Sequence, residues 1–167
     1  MSRSLQDFPT ALSELHKLEF DYAGGDGIDF EPYLEFLSPA ETISWFKAWT
    51  GNPDADGSCF KVFGQDGGGG YAAFWMVHPE RPTLDQPIVF LGSEGETGVI
   101  ASDFSHYLWL LASGFGPCEA IADPDQSRPK IEHFRVFAQH WSSTEELEGR
   151  VVLQQARELF PHFLNDK

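Results

Sequence analysis

The stretches Phe63–Trp75, FGQDGGGGYAAFW, and Pro87–Gly116, PIVFLGSEGETGVIASDFSHYLWLLASGFG, decide the fold of this chain. Cys59 to Phe63 and Gly70 to Val77 are rich in aromatic and small apolar residues and read as two strands joined by the run Gly67 to Gly70. Pro87 to Leu91 and Thr97 to Ala101 read as a second pair, joined by Gly92-Ser93-Glu94-Gly95-Glu96. Connections this short favour antiparallel neighbours. Ser102 or Asp103 can cap a helix that reaches Ser113, with Phe104, Tyr107, Leu108 and Leu111 on one side and Gly114 as terminator.

Outward from this centre the pattern turns helical. Pro9 followed by Leu12, Leu15 and Leu18 predicts a short first helix, ending before Ala23-Gly24-Gly25-Asp26-Gly27. Ser38-Pro39-Ala40-Glu41 is a helix start: Ser38 can cap, Pro39 suits the first helical position, and Glu41 can reach back to the capping backbone. Ile43, Phe46 and Trp49 then share a face, and Gly51 stops the helix. Arg135 to Ala138 fits either a short helix or a strand. For the last helix, Ser142 to Glu146 is the expected cap, with Leu147, Val151, Leu159, Phe160 and Phe163 as its buried face. A helix, then strands, then helices describe an α+β domain, and 167 residues fit a single one spanning 1–167.

Composition limits the possible functions. A hydrophobic share of 41% with five tryptophans supports a real core. The richest apolar run, Tyr107 to Ala112, is far too short to cross a membrane. The start, MSRSLQDFPTALSE, lacks the basic and apolar regions of a secretory signal. Cys59 and Cys118 stand far apart with no CxxC, which argues against a disulfide framework or a zinc site. A cytoplasmic, reduced protein is the expectation.

Charge adds a second constraint. Twenty-six acids against eleven bases give a formal net charge of −15. Residues 18–46 contain no Lys or Arg yet carry Glu19, Asp21, Asp26, Asp29, Glu31, Glu35 and Glu41. Residues 82–127 repeat this bias with Asp85, Glu94, Glu96, Asp103, Glu119, Asp123 and Asp125. Such a chain is repelled by phosphate backbones and anionic lipid, so neither direct nucleic-acid nor membrane binding is expected. A basic protein is the partner that its field would steer and select. Solubility alone would also account for an acidic surface.

No catalytic constellation emerges. Gly67 to Gly70 precedes a strand, whereas a phosphate loop needs GK[ST] and a helix N-terminus. Gly92-Ser93-Glu94-Gly95 lacks the residue that GxSxG places between its first glycine and the serine. Asp123-Pro124-Asp125 resembles a metal-binding DxD but sits in a polar loop. His133 and His140, two helical turns apart, are too far from each other to share one ion. Cys118 has no neighbouring base to lower its pKa. Neither catalytic residues, a metal nor a cofactor is expected. Trp45, Trp49, Trp75 and Trp109 fall on predicted elements as core candidates, of which one or two could anchor a partner.

The motif order gives a family resemblance. Phe63-Gly64-Gln65-Asp66-Gly67 with its glycine turn and apolar strand, then Pro87 to Glu96, then Val99-Ile100-Ala101 and Phe104 to Gly114, resembles the SUKH superfamily over about residues 30–120. Gly68 stands where that pattern often has threonine. The resemblance implies a curved, mainly antiparallel sheet with helices packed against one face. It also implies a binding role: many bacterial members are similar to immunity proteins that neutralise nuclease or deaminase toxins, while others resemble regulators. A basic toxin domain suits the charge of this chain.

The leading expectation is therefore stoichiometric neutralisation of a toxin through an acidic face, with Asp66, Trp75, Glu94 and Glu96 as partner-contacting candidates. Gly64, Gly70, Gly92 and Gly95 are expected to serve tight turns by adopting positive φ. Two alternatives stay open: a regulatory adaptor for a cellular protein, and an enzyme using Asp66, Glu94 and Glu96 as acid–base groups.

Overall fold

Four of the five strands follow from the glycine-punctuated stretch. A computed structural model of the chain describes residues 8–25, 27–161 and 163. The strands are β1 (Glu31–Pro32), β2 (Phe60–Gln65), β3 (Tyr71–Trp75), β4 (Ile88–Leu91) and β5 (Thr97–Ala101). Each pairs antiparallel with the next, giving an open meander in the order β1-β2-β3-β4-β5. Six helices complete an α+β arrangement: α1 (Thr10–Leu15), α2 (Pro39–Thr50), α3 (Phe104–Ala112), α4 (Pro117–Ala122), α5 (Glu132–Trp141) and α6 (Gly149–Leu159).

Strand alternation sorts the sheet residues onto two faces. Ala72, Phe74, Ile88, Phe90 and Ile100 point into the larger core with α1, α3, α5 and α6. Phe60, Val62, Ala73, Val89, Leu91 and Val99 form the second face, covered by Phe46 of α2 and by Phe160 and Phe163 beyond α6. A bulge between Val62 and Gly64 turns Phe63 into the larger core as well. The main helical layer thus lies on one side, and α2 adds a partial layer on the other.

The α2 helix forms as its sequence dictates. Ser38 Oγ accepts from Glu41 N at 3.1 Å, Pro39 opens the helix, and Gly51 closes it at φ 68°. Asp103 Oδ1 caps α3 through His106 N at 2.9 Å. Seven of the nine α3 residues are buried, because the helix is enclosed by α5, α6 and β5. Burying each Leu or Phe of this kind contributes roughly 1.5–3 kcal/mol.

The last helix differs from its reading. It begins at Gly149, not in the Ser142–Glu146 run. The segment Arg135 to Ala138 is helical as part of α5, and Ser142 is the C-cap of that helix. Hydroxyls of the run tie it to α3 instead: Thr144 Oγ1 accepts from Trp109 Nε1 at 2.9 Å, and Ser142 Oγ donates to Ser105 O at 3.3 Å. This later start rotates the buried face to Gly149, Val152, Leu153 and Ala156, leaving Val151 and Leu159 exposed. The two-residue β1 and the short α4 carry too little periodicity to be read from sequence.

Candidate functional site

The two glycine turns lie side by side at one end of the sheet. A Cβ on Gly70 would stand 3.0 Å from Gly92 Cα and 2.8 Å from the Phe90 ring. Asp66 is buried and holds the first turn, its Oδ1 accepting from Gly68 N at 3.1 Å and Gly70 N at 2.7 Å. Glu96 Oε1 accepts from Glu94 N at 2.9 Å across the second turn, so Glu94 and Glu96 stand at an exposed tip.

Only Gly95, at φ 95°, needs the left-handed backbone among the four glycines expected to do so; Gly69 at φ 92° does too. The others serve close approach. Gly64 admits the Phe30 ring, whose Cζ would be 2.1 Å from an added Cβ, and Gly92 is covered by the Glu96 side chain.

Asp66 also belongs to a polar cluster behind the turn. Ligand-capable atoms of Asp29, Asp66 and Cys118 lie within 4.8 Å of one another. Asp29 Oδ1 accepts from Gly67 N at 3.0 Å, and burial, followed by a hydrogen bond to Asp66, pushes the Cys118 thiol up to about 12. Glu119 supports the same region, accepting from Asp29 N at 2.9 Å and Gly116 N at 3.2 Å, and burial raises its pKa. The carboxylates are committed to backbone amides, which fixes the Asp29 loop against the glycine turn. Asp66 acts here as a turn clamp.

A second set of side chains gathers in front of the turns. Trp45 and Trp49 stack at 5.3 Å with 16° between their planes, and Trp45 meets Tyr71 at 4.7 Å. Trp49 Nε1 donates to Gly92 O at 2.6 Å, which couples α2 to the β4–β5 turn. Tyr33 donates its hydroxyl to Gln65 Oε1 at 2.5 Å. Its phenol is pushed up to about 12 by burial and then by its neighbours Tyr71, Glu31 and Glu41. Burial and then Glu41 raise Tyr71 in the same direction. The strand register aligns Glu31, Gln65, Tyr71, Leu91 and Thr97 in one row across the sheet. Glu31, Glu41, Glu94 and Glu96 are all exposed, and among the described residues no ion pair joins any of them to a base.

Trp75 does not join this surface. Four residues along β3 from Tyr71, about 13 Å by strand rise, it packs on Phe160 at 5.5 Å and Phe163 at 4.7 Å. Of the four contact candidates, Glu94 and Glu96 are exposed together, Asp66 is buried beneath the adjacent turn, and Trp75 is engaged at the opposite strand end. The exposed Glu31 and Glu41 and the half-buried Trp45–Trp49 pair lie on the Tyr71 end of the sheet instead. The base-free run 18–46 held the signal for those acids, but their position beside Tyr71 depends on the β1–β2 register.

Among the described residues no helix is long and apolar enough to cross a membrane. Cys59 and Cys118 are both free and half-buried. Comparison with family models, curated proteins and solved structures finds no match to this chain.

Proposed function

We propose that this chain is a non-catalytic binding protein of the SUKH immunity type, which neutralises a basic toxin domain by stoichiometric occlusion. The observation that carries this reading is the surface at one end of the sheet, where Glu31, Glu41, Glu94 and Glu96 stand around the half-buried Trp45, Trp49 and Tyr71. Apolar rings within an acidic rim match the general anatomy of tight interfaces, in which aromatic anchors are desolvated and charges steer the approach. A net charge of −15 favours a basic partner and disfavours nucleic acid as a direct one. The carboxylates of the turns serve backbone amides, a scaffolding use that suits a binding module. The test is co-expression with the products of the genes neighbouring this one, scoring rescue of growth from any that is toxic and a one-to-one complex on gel filtration. Absence of both at low salt overturns the proposal.

A further inference from the structure

The segment between β1 and α2 projects one leucine into solvent from a tightly held frame. Tyr33 N donates to Phe63 O at 2.9 Å and Leu37 N to Val62 O at 3.0 Å, so both ends of a short excursion are fastened to consecutive carbonyls of β2. The carbonyl of Tyr33 accepts from His16 Nδ1 at 2.6 Å, and its hydroxyl is held by Gln65. Phe36 turns inward, 3% exposed, against Phe8 and Phe74. Leu34 turns outward and is 84% exposed, the largest value among the exposed large apolar residues. It borders a groove of about 610 Å³ shared with Glu31, Tyr33, Glu35, Leu37 and Glu41, with no Lys or Arg among the described residues that line it.

Apolar exposure on a single residue is ordinary. Here, however, the leucine sits on a segment fixed at both ends and is flanked by three carboxylates. Backbone pairing at this edge is blocked because β1 is two residues long and Pro32 has no N–H to offer. A second copy of the chain docking face to face would set Glu31, Glu35 and Glu41 against themselves, which disfavours a symmetric dimer through this patch. Anionic lipid is repelled for the same reason.

We infer that the Leu34 excursion is the selective contact for a basic protein element that presents apolar side chains flanked by lysine or arginine. This rests on the binding role proposed above and assigns its partner-reading residues. Leu34 packs on the apolar side chains, while Glu31, Glu35 and Glu41 meet the flanking cations. The fixed frame reduces the ordering cost on binding.

Two measurements test it. In the first, a short oligolysine peptide with leucines at its centre is titrated into the isotope-labelled full chain, followed by amide chemical shifts, with an all-lysine peptide as control. Shifts centred on residues 33–41, and lost in Leu34→Ser, are expected. Shifts spread evenly over the acidic surface, or unchanged in Leu34→Ser, overturn the inference. In the second, the neighbouring gene's product is the probe. Leu34→Ser and Glu35→Lys are expected to weaken binding about tenfold or more, while Leu159→Ser, exposed on α6, leaves it unchanged. Equal binding by all variants overturns the Leu34 assignment and leaves the proposed function standing. Failure of the wild-type chain to bind that product overturns the proposed function, and the peptide titration then decides the groove alone.

Discussion

The imidazole of His16 holds the carbonyl of Tyr33, with Nδ1 2.6 Å from the oxygen and the ring enclosed by Phe8, Phe20, Phe30 and Phe63. This contact joins the end of α1 to the excursion that carries Leu34. To donate, the ring carries its proton on Nδ1, and Nε2 is buried with no partner among the described residues.

Burial lowers the His16 pKa to about 4, against a smaller opposing pull from the Tyr33 bond. Between pH 4 and 6.5 the unfolded chain binds a proton there that the folded chain does not. Stability from this residue is therefore complete above pH 6.5 and is lost as pH falls toward 4, by about 3 kcal/mol across the window. Denaturant unfolding of the wild type and His16→Gln at several pH values checks this. The variant should show the shallower acid slope, and parallel slopes would refute the assignment.

Gly64 and Phe30 form a size-matched pair. Gly64→Ala places a Cβ 2.1 Å from the present Phe30 Cζ and should cost about 1–3 kcal/mol. In a Phe30→Leu background that added cost should shrink, because the obstructing ring atom is gone. A double-mutant cycle by urea unfolding reads the coupling; simple additivity would show that the ring is not the obstacle.

Asp66 is predicted to matter for stability before it matters for binding. Asp66→Ala leaves the Gly68 and Gly70 amides without their acceptor and should cost about 1–3 kcal/mol. Asp66→Asn keeps an acceptor oxygen and should cost less. Thermal unfolding of the two variants distinguishes this from a surface role, for which both would melt like the wild type.

Neither cysteine should behave as a reactive thiol. The Cys118 thiol is pushed up to about 12, chiefly by burial, and burial also raises Cys59. An aromatic disulfide reagent at pH 8 should react slowly with the folded chain and rapidly with both thiols in denaturant. Fast modification of the native protein would contradict the packing around Asp66.

Binding through the acidic rim should depend on salt in its association phase. Raising ionic strength from about 0.05 to 0.5 M is expected to slow association with a basic partner of the proposed kind by about tenfold, with a smaller effect on dissociation. Rapid-mixing fluorescence of the half-buried Trp45 and Trp49 provides the reading. A salt-independent association rate would place the interface away from Glu31, Glu41, Glu94 and Glu96.

The sequence by itself determined the local elements with strong signals. Ser38, Pro39 and Gly51 delimited α2 because capping and terminator chemistry acts within a few residues, and the glycine turns separated β2 from β3 and β4 from β5. It also marked residues 18–46 as a stretch of uncompensated acid. It did not locate the start of α6, since the hydroxyls of Ser142 and Thr144 serve contacts with α3 that no local pattern encodes. Only the tertiary structure decided which acids and rings share a surface. Strand register set Glu31 in the row of Tyr71, α2 brought Trp49 to the carbonyl of Gly92, and the chain beyond α6 covered Trp75. Cross-strand and helix-on-sheet contacts join residues far apart in the chain, so the candidate surface exists only after the sheet has closed its register.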